Sequence, residues 1–385
     1  MKAGFTQCLI GLLGIISLTA LDANAQETAN EKNNGLTFTT TYTGDNVNNL
    51  AGGIRRGSCY LGLANIHAGL NTGEAGLWKG GQFYINAANT HGASPSAQFL
   101  GDLQVASNIE AGNHTFLQEL WYKQSFGKTE FTIGLQDLNV QFANTEYGAL
   151  FLNSSFGILP TISGNIPAPV YPLTSLGFSV NWAASEHIAL SGAVYDGCPT
   201  DFDHNPYNLK WQFTSSDGLL GITEARYSTN ISSLPGTYKI GIYSHNHLFS
   251  KHVIEDDDPA CNNHFGLYAI ADQSVWQKDK RNLGTFLQVG FGPANYNKNY
   301  LYIGTGAHYS GIFSKDGSDA LGLAFAMAWL KGNISNETTI ELTYKRQLIK
   351  HIFIQPDFQY IINPAGLDNR LGNCLEGTLR LGIEF

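Results

Sequence analysis

Charge is scarce in this chain. Lys, Arg, Asp and Glu supply 14% of the residues, and the acidic ones prevail, leaving a formal net charge of −9. That balance argues against nucleic acid as a partner, which would call for a basic stripe. Cysteine is rare too, at five residues in 385, and no two of them form C-x-x-C. Neither a structural zinc site nor a redox pair is indicated. Catalytic signatures are missing as well: there is no G-x-S-x-G, no H-E-x-x-H and no G-x-G-x-x-G. The chain therefore reads as a non-enzyme with no cofactor and no metal. After the N-terminus no uninterrupted apolar run reaches about 18 residues, which excludes a helical membrane protein.

What is present starts with an export signal. Lys2 supplies a positive charge, Leu9 to Ala20 is a short apolar run, and Ala23-Asn24-Ala25 is an A-x-A cleavage site. Residues 1–25 are expected to be a secretory signal peptide, leaving 26–385 as one domain. Glycine is abundant, at 43 residues, and Tyr and Phe add 18 and 22. High glycine, many aromatics and little charge fit a chain of strands and turns. The mean hydropathy of −0.13 suits a sheet with one apolar and one wet face.

Alternation supports that reading. In the last ten residues, E-G-T-L-R-L-G-I-E-F, Leu379, Leu381, Ile383 and Phe385 alternate with Arg380, Gly382 and Glu384. Such a period-2 pattern places two different solvents on the two faces of a strand. An aromatic residue closing the chain suits a strand that ends at a membrane interface. Similar segments recur near 36–43, 58–66, 81–88, 115–124, 130–137, 176–182, 188–195 and 219–227. They continue near 238–245, 265–271, 283–291, 300–308, 320–329, 338–346, 351–361 and 377–385. The strand at 219–227 is ambiguous, because Glu224 and Arg226 share the parity of Leu220 and Ile222. Short connections such as 125–129, 183–187 and 347–350 alternate with long ones near 89–114, 138–175, 196–218 and 246–264. The pattern predicts an all-β fold: a 16-stranded antiparallel transmembrane barrel with short turns at one end and long loops at the other. Only a closed sheet pairs every backbone group in hydrocarbon. A barrel of this size is too wide for its own side chains to fill, so it encloses water.

Six segments give the chain a family likeness. They are R-R-G-S-C-Y-L-G-L (55–63), L-Q-E-L-W-Y-K-Q-S-F (117–126), V-Y-D-G-C-P (194–199), Y-A-I-A-D-Q (268–273), Y-S-G-I-F-S-K-D-G-S-D-A-L-G-L (309–323) and I-Q-P-D-F-Q-Y-I-I-N-P-A-G (354–366). Together they resemble the carbohydrate-selective porin (OprB) family of Gram-negative outer membranes. The resemblance implies passive, facilitated diffusion of small, glucose-like sugars. Two alternatives are a general diffusion porin without sugar selectivity and a secreted soluble β protein that binds or hydrolyses glycans. The expected partners are small sugars, outer-membrane lipid and lipopolysaccharide, and the barrel-assembly machinery reading the strand that ends in Phe385. A homotrimer and a monomer are both compatible with the sequence.

The stretch Leu138 to Ser175 is expected to be a third long loop that folds inward and narrows the pore. Pro160, Pro167, Pro169 and Pro172 prevent it from continuing as strand. Sugar passage needs aromatic faces for pyranose rings and polar groups for their hydroxyls. Glu119, Trp121 and Lys123 share one parity and read as inward, as do Tyr84, Tyr268, Glu341, Lys345, Asp357 and Arg380. His245, His247, Glu255, Asp256, Asp257, Asp258 and His264 lack fixed ligand spacing and read as a solvated acidic loop. With Cys8 removed in the leader, the remaining cysteines are expected to pair as Cys59–Cys374 and Cys198–Cys261 on the long-loop side.

Overall fold

Sixteen strands close on themselves, each pairing antiparallel with its neighbours in sequence and β1 pairing with β16. This computed structural model describes residues 34–212, 217–246, 264–314, 316–332, 336–366 and 371–385. The strands are β1 (Leu36–Gly53), β2 (Gly57–Asn71), β3 (Gly81–Gly92), β4 (His114–Phe126), β5 (Thr129–Gln136), β6 (Ser175–Ala183), β7 (Ile188–Asp196) and β8 (Leu219–Ile231). They continue as β9 (Leu234–His245), β10 (His264–Lys278), β11 (Arg281–Phe291), β12 (Asn299–Ser310), β13 (Asp319–Leu330), β14 (Asn336–Ile349), β15 (Ile352–Ile362) and β16 (Gly372–Glu384). Each expected segment corresponds to one strand. Gly35–Phe385 forms one unit. Among the described residues no helix is long and apolar enough to cross a membrane.

Two ends of the barrel differ sharply. At one end the connections are short, among them 127–128, 184–187, 232–233, 279–280 and 350–351. The gaps near 67–80 and 272–282 shrink because β2 runs on to Asn71 and β10 to Lys278. At the other end lie 93–113, 137–174, 197–218 and 246–263, together with several shorter connections. Both β1 and β16 have their outer ends on the short-turn side. There Phe385 and Thr40 exchange two backbone hydrogen bonds of 2.9 Å.

The alternation in β16 turns out as the pattern requires. Leu379 and Leu381 face outward and are exposed, whereas Glu376, Thr378 and Arg380 face inward and are buried. Exposed Ile133, Leu190, Ile240, Leu287, Leu323 and Leu342 extend the apolar band around the wall. Exposed Phe126, Trp182, Tyr227 and Trp276 ring its short-turn end. A contiguous apolar belt edged by aromatics is a surface made for lipid.

The hydrophobic core lies inside the barrel, between the wall and an inserted loop. Phe142, Leu150, Phe151, Phe156, Leu159 and Ile162 from the β5–β6 connection pack on Leu220, Ile222, Tyr243, Tyr268, Phe286 and Tyr302 of the wall. This settles the ambiguity of β8. Leu220, Ile222 and Glu224 all point inward, because the loop gives Leu220 and Ile222 an apolar partner there. The wall has a recess to receive the loop. Facing inward on β13 are Gly322, Ala324, Ala326 and Ala328. A Cβ at Gly322 would stand 2.7 Å from the Phe151 ring, and one at Gly284 would stand 2.0 Å from Tyr147. Larger residues would push the loop into the lumen.

The cysteines differ from expectation. Cys59, Cys198 and Cys374 are free thiols, and Cys374 donates to Asn49 Oδ1 at 3.1 Å. Cys59 lies opposite Val47 on β1, and Val47 lies opposite Thr378 on β16, so β1 separates the expected pair. With Cys374 further along β16, strand spacing and rise put the two Cα atoms on the order of 16 Å apart. A disulfide needs them within about 7 Å. The neighbourhood of β1 and β16 does not extend to β2. Cys261 lies outside the described residues, and so does the leader, residues 1–25.

Candidate functional site

Buried carboxylates hold the β5–β6 loop against the wall. Glu341 on β14 accepts from Leu152 N at 2.6 Å and Asn153 N at 3.1 Å. Asp272 on β10 accepts from Thr145 Oγ1 at 2.6 Å and Tyr147 N at 3.1 Å, and Glu224 on β8 accepts from Ala143 N at 2.9 Å. Lys239 on β9 donates to the Asn144 carbonyl at 2.7 Å. Gln288 and Gln355 donate to the carbonyls of Phe156 and Leu150. Backbone donors and acceptors that a loop in water would satisfy with solvent are satisfied here by the wall.

A second loop, 93–113, also turns inward, which the sequence reading did not single out. Glu337 on β14 accepts from Leu103 N at 2.7 Å and Gln104 N at 2.8 Å. Gln359 on β15 donates to the Ala106 carbonyl at 2.7 Å. Arg380 on β16 binds Asp45 on β1 through two bonds of 2.7 and 2.8 Å and reaches Asn108 Oδ1 at 2.8 Å. The two loops then join each other: Asn108 N donates to the Leu152 carbonyl at 2.8 Å, and Ser154 N to the Val105 carbonyl at 2.9 Å. A signal was available in the length of the β3–β4 gap, but its small and polar residues carry no burial pattern.

Two acids in these loops are shifted by burial. Burial pushes the Glu110 carboxyl up to about 7 against hydrogen bonds from Ser96 N and Oγ. Asp137 is raised to about 6 by burial, although Asn139 N and Tyr171 N donate to it at 2.9 and 3.0 Å.

Four expected site residues come together on the β3–β4 wall. Tyr84 and Trp121 sit opposite each other and stack, with ring centroids 4.9 Å apart at 23°. The Trp121 indole N–H donates to Glu119 Oε1 at 3.2 Å. Lys123 Nζ lies 5.4 Å from the Trp121 ring centroid and 3.9 Å from Glu130. His67 on β2 bonds the Tyr84 hydroxyl at 2.7 Å. Two flat rings are thus fixed side by side, flanked by a carboxylate and an ammonium. A bulge at Asn86/Ala87 accounts for Gln118 and Glu119 both being buried.

The other expected residues face inward with different neighbours. Tyr268 is fully buried under the loop, donating to Glu224 Oε2 at 2.8 Å. Glu341 and Asp357 are fully buried, the first holding the loop and the second accepting from Gln359 at 3.2 Å. Arg380 is held by Asp45 and Asn108. Tyr268, Glu341 and Arg380 secure loops, and Asp357 is buried among wall side chains; none of the four lines open space. Lys345 stands apart, its ammonium 4.0 Å from the Phe353 ring centroid. Of the acidic and histidine cluster, His245 and His264 pair across β9 and β10, while 247–263 lie outside the described residues.

Residues 55–385 match the carbohydrate-selective porin, OprB family. The chain belongs to that family. It is an outer-membrane porin for carbohydrates, on a fold that serves transport. No curated protein matches it. Among solved structures, the high-pH structure of Pseudomonas putida OprB aligns with a TM-score of 0.82 at 19% identity, covering 91% of this chain and 94% of the other. The low-pH structure of the same protein gives 0.59 at 17% identity, covering 91% and 93%. The trimer form of OmpT from Vibrio cholerae gives 0.54 at 8% identity, covering 91% and 99%. At these identities the likeness is one of fold. Family membership rests on the match over residues 55–385.

Proposed function

We propose that glucose-like sugars cross this porin by passive diffusion along the β3–β4 wall, between the Tyr84–Trp121 rings and the two moored loops. The observation that carries this reading is the stacked pair, with Glu119 and Lys123 beside it. The rings offer apolar faces to a pyranose, and the charged groups exchange hydrogen bonds with its hydroxyls. The loops narrow the route, so that a sugar meets the rings instead of passing through bulk water. Contacts must stay weak enough for release, as in any conducting pore. Export through a leader cleaved after Ala25, and recognition of the Phe385 strand by the assembly machinery in a lipopolysaccharide-bearing membrane, complete the proposal. Its test is single-channel recording with added glucose. Trp121→Ala is expected to weaken sugar block more than it changes open conductance. Equal block in the variant and the parent would remove Trp121 from the path.

A further inference from the structure

On the opposite side of the barrel, at its short-turn end, a cavity of about 470 Å³ lies between the inserted loop and the wall. Glu146 and Leu150 of the loop line it, with His308 and Ser310 of β12, Asp319 and Ala320 of β13 and Lys345 of β14. The register explains the grouping: Ser310 lies opposite Ala320, and Ala320 opposite Lys345. Three adjacent strands thus present a hydroxyl, a methyl and an ammonium at one level.

The polar groups of this cavity are incompletely used. His308 Nε2 bonds Ser310 Oγ at 3.0 Å, but the buried Nδ1 has no hydrogen-bond partner among the described residues. The nearby Tyr147 presents its ring edge-on to His308, with centroids 5.9 Å apart. The Lys345 ammonium sits over the Phe353 ring, with Arg380 and Glu384 as its charged neighbours, and makes no hydrogen bond or ion pair among the described residues. Glu146 is exposed, even though Thr145 and Tyr147 beside it are fastened to Asp272. Unmet donors and acceptors of this kind await a ligand or water.

Their chemistry selects among ligands. An anion would meet the carboxylates of Glu146 and Asp319, and a cation would meet the Lys345 ammonium. Asp319 is already engaged by Phe313 N at 2.9 Å, Ser314 N at 3.1 Å and the Tyr344 hydroxyl at 3.1 Å. A neutral ring with several hydroxyls can donate to Glu146 and His308 and accept from Lys345, with its C–H face on Ala320 and Leu150. The volume falls in the range of about 300–1,000 Å³ usual for small-molecule pockets. We propose that this cavity is a second carbohydrate subsite, separate from the Trp121 wall, which holds a neutral sugar at the short-turn mouth of the pore. The proposal rests on the carbohydrate path proposed above. Weak binding at more than one site lets a solute enter and still leave, as conduction requires.

Single-channel recording with glucose added to each compartment in turn tests it, using the parent, Lys345→Met and Glu146→Gln. Assembly of each variant is checked by its heat-modifiable migration. Losing one or two hydrogen bonds is expected to shorten the block caused by sugar from the short-turn side about five-fold. Block from the long-loop side should change less, because the cavity lies at the short-turn mouth. Parent-like block times from both sides in both variants would overturn the second subsite while leaving the first intact. Absence of glucose block in the parent itself would instead overturn the carbohydrate path, and this subsite with it.

Discussion

Arg380 and Asp45 face each other across the seam where the barrel closes, joined by two hydrogen bonds of 2.7 and 2.8 Å. Both side chains are buried, and Asp45 also accepts from Ser107 Oγ at 2.7 Å. Parity alone makes Arg380 an inward residue of the sugar path. The pair makes it structural. Arg380→Leu leaves Asp45 buried without its counter-charge, which costs about 3–5 kcal/mol in comparable pairs. The outward neighbour Leu381 gives a contrast of different origin, since arginine at mid-depth on a lipid face costs roughly 2–4 kcal/mol. Both Arg380→Leu and Leu381→Arg are therefore expected to lower the urea midpoint of the barrel. The second change Asp45→Asn should restore much of the stability lost by Arg380→Leu and none of that lost by Leu381→Arg. If the Asp45 change rescued neither variant, the seam pair would not be what holds Arg380.

Glu341 supports a second expectation, about the loop. Its carboxylate serves two backbone N–H groups of the loop, those of Leu152 and Asn153, from within the wall. Glu341→Ala leaves both donors buried and unpaired, at roughly 1–3 kcal/mol each. The loop should come away from β14 more often, and the open channel should become larger and noisier. Glu341→Gln keeps one acceptor and should lie between the two. Current traces of unchanged amplitude and noise in Glu341→Ala would show that the apolar contacts of Phe151 and Phe156 hold the loop alone.

The wall was legible in the sequence because lipid and water impose opposite demands on alternate residues, as Leu379, Arg380 and Leu381 show. Legibility fails where a third environment intrudes. Leu220 and Ile222 share a face with Glu224 because the inserted loop, not water, covers that part of the interior. The same loop turns Tyr268 and Glu341 from lining residues into anchors. Gly322 and Ala324 on β13 recorded the recess all along, but small inward residues become meaningful only once the loop is known to sit there. Tyr84 and Trp121 were legible as inward residues. Their stacking required the register of β3 against β4, which the bulge at Asn86 sets. The expected Cys59–Cys374 bridge failed for a related reason, since ring closure brings β16 to β1 and leaves β2 one strand too far.

Acidity should act on the loops through Glu110. Its carboxyl is raised by burial from an ordinary 4.5 to about 7, with the carboxyl of Asp102 also raising it and Ser96 N and Oγ opposing. A carboxyl raised on folding favours the folded loop when protonated. That contribution is complete below about 4.5 and is lost as the pH climbs through 7. The 93–113 loop, and the Asn108 and Val105 bonds by which it holds the second loop, should therefore be firmest in mild acid. Channel noise is expected to be low at pH 5.5 and to rise between pH 6 and 8. Glu110→Gln, which keeps an uncharged side chain of the same size there, should hold the quiet behaviour across that interval. A variant whose noise still climbs between pH 6 and 8 would move the titration away from Glu110, with Asp137, raised by burial to about 6, as the next group to replace.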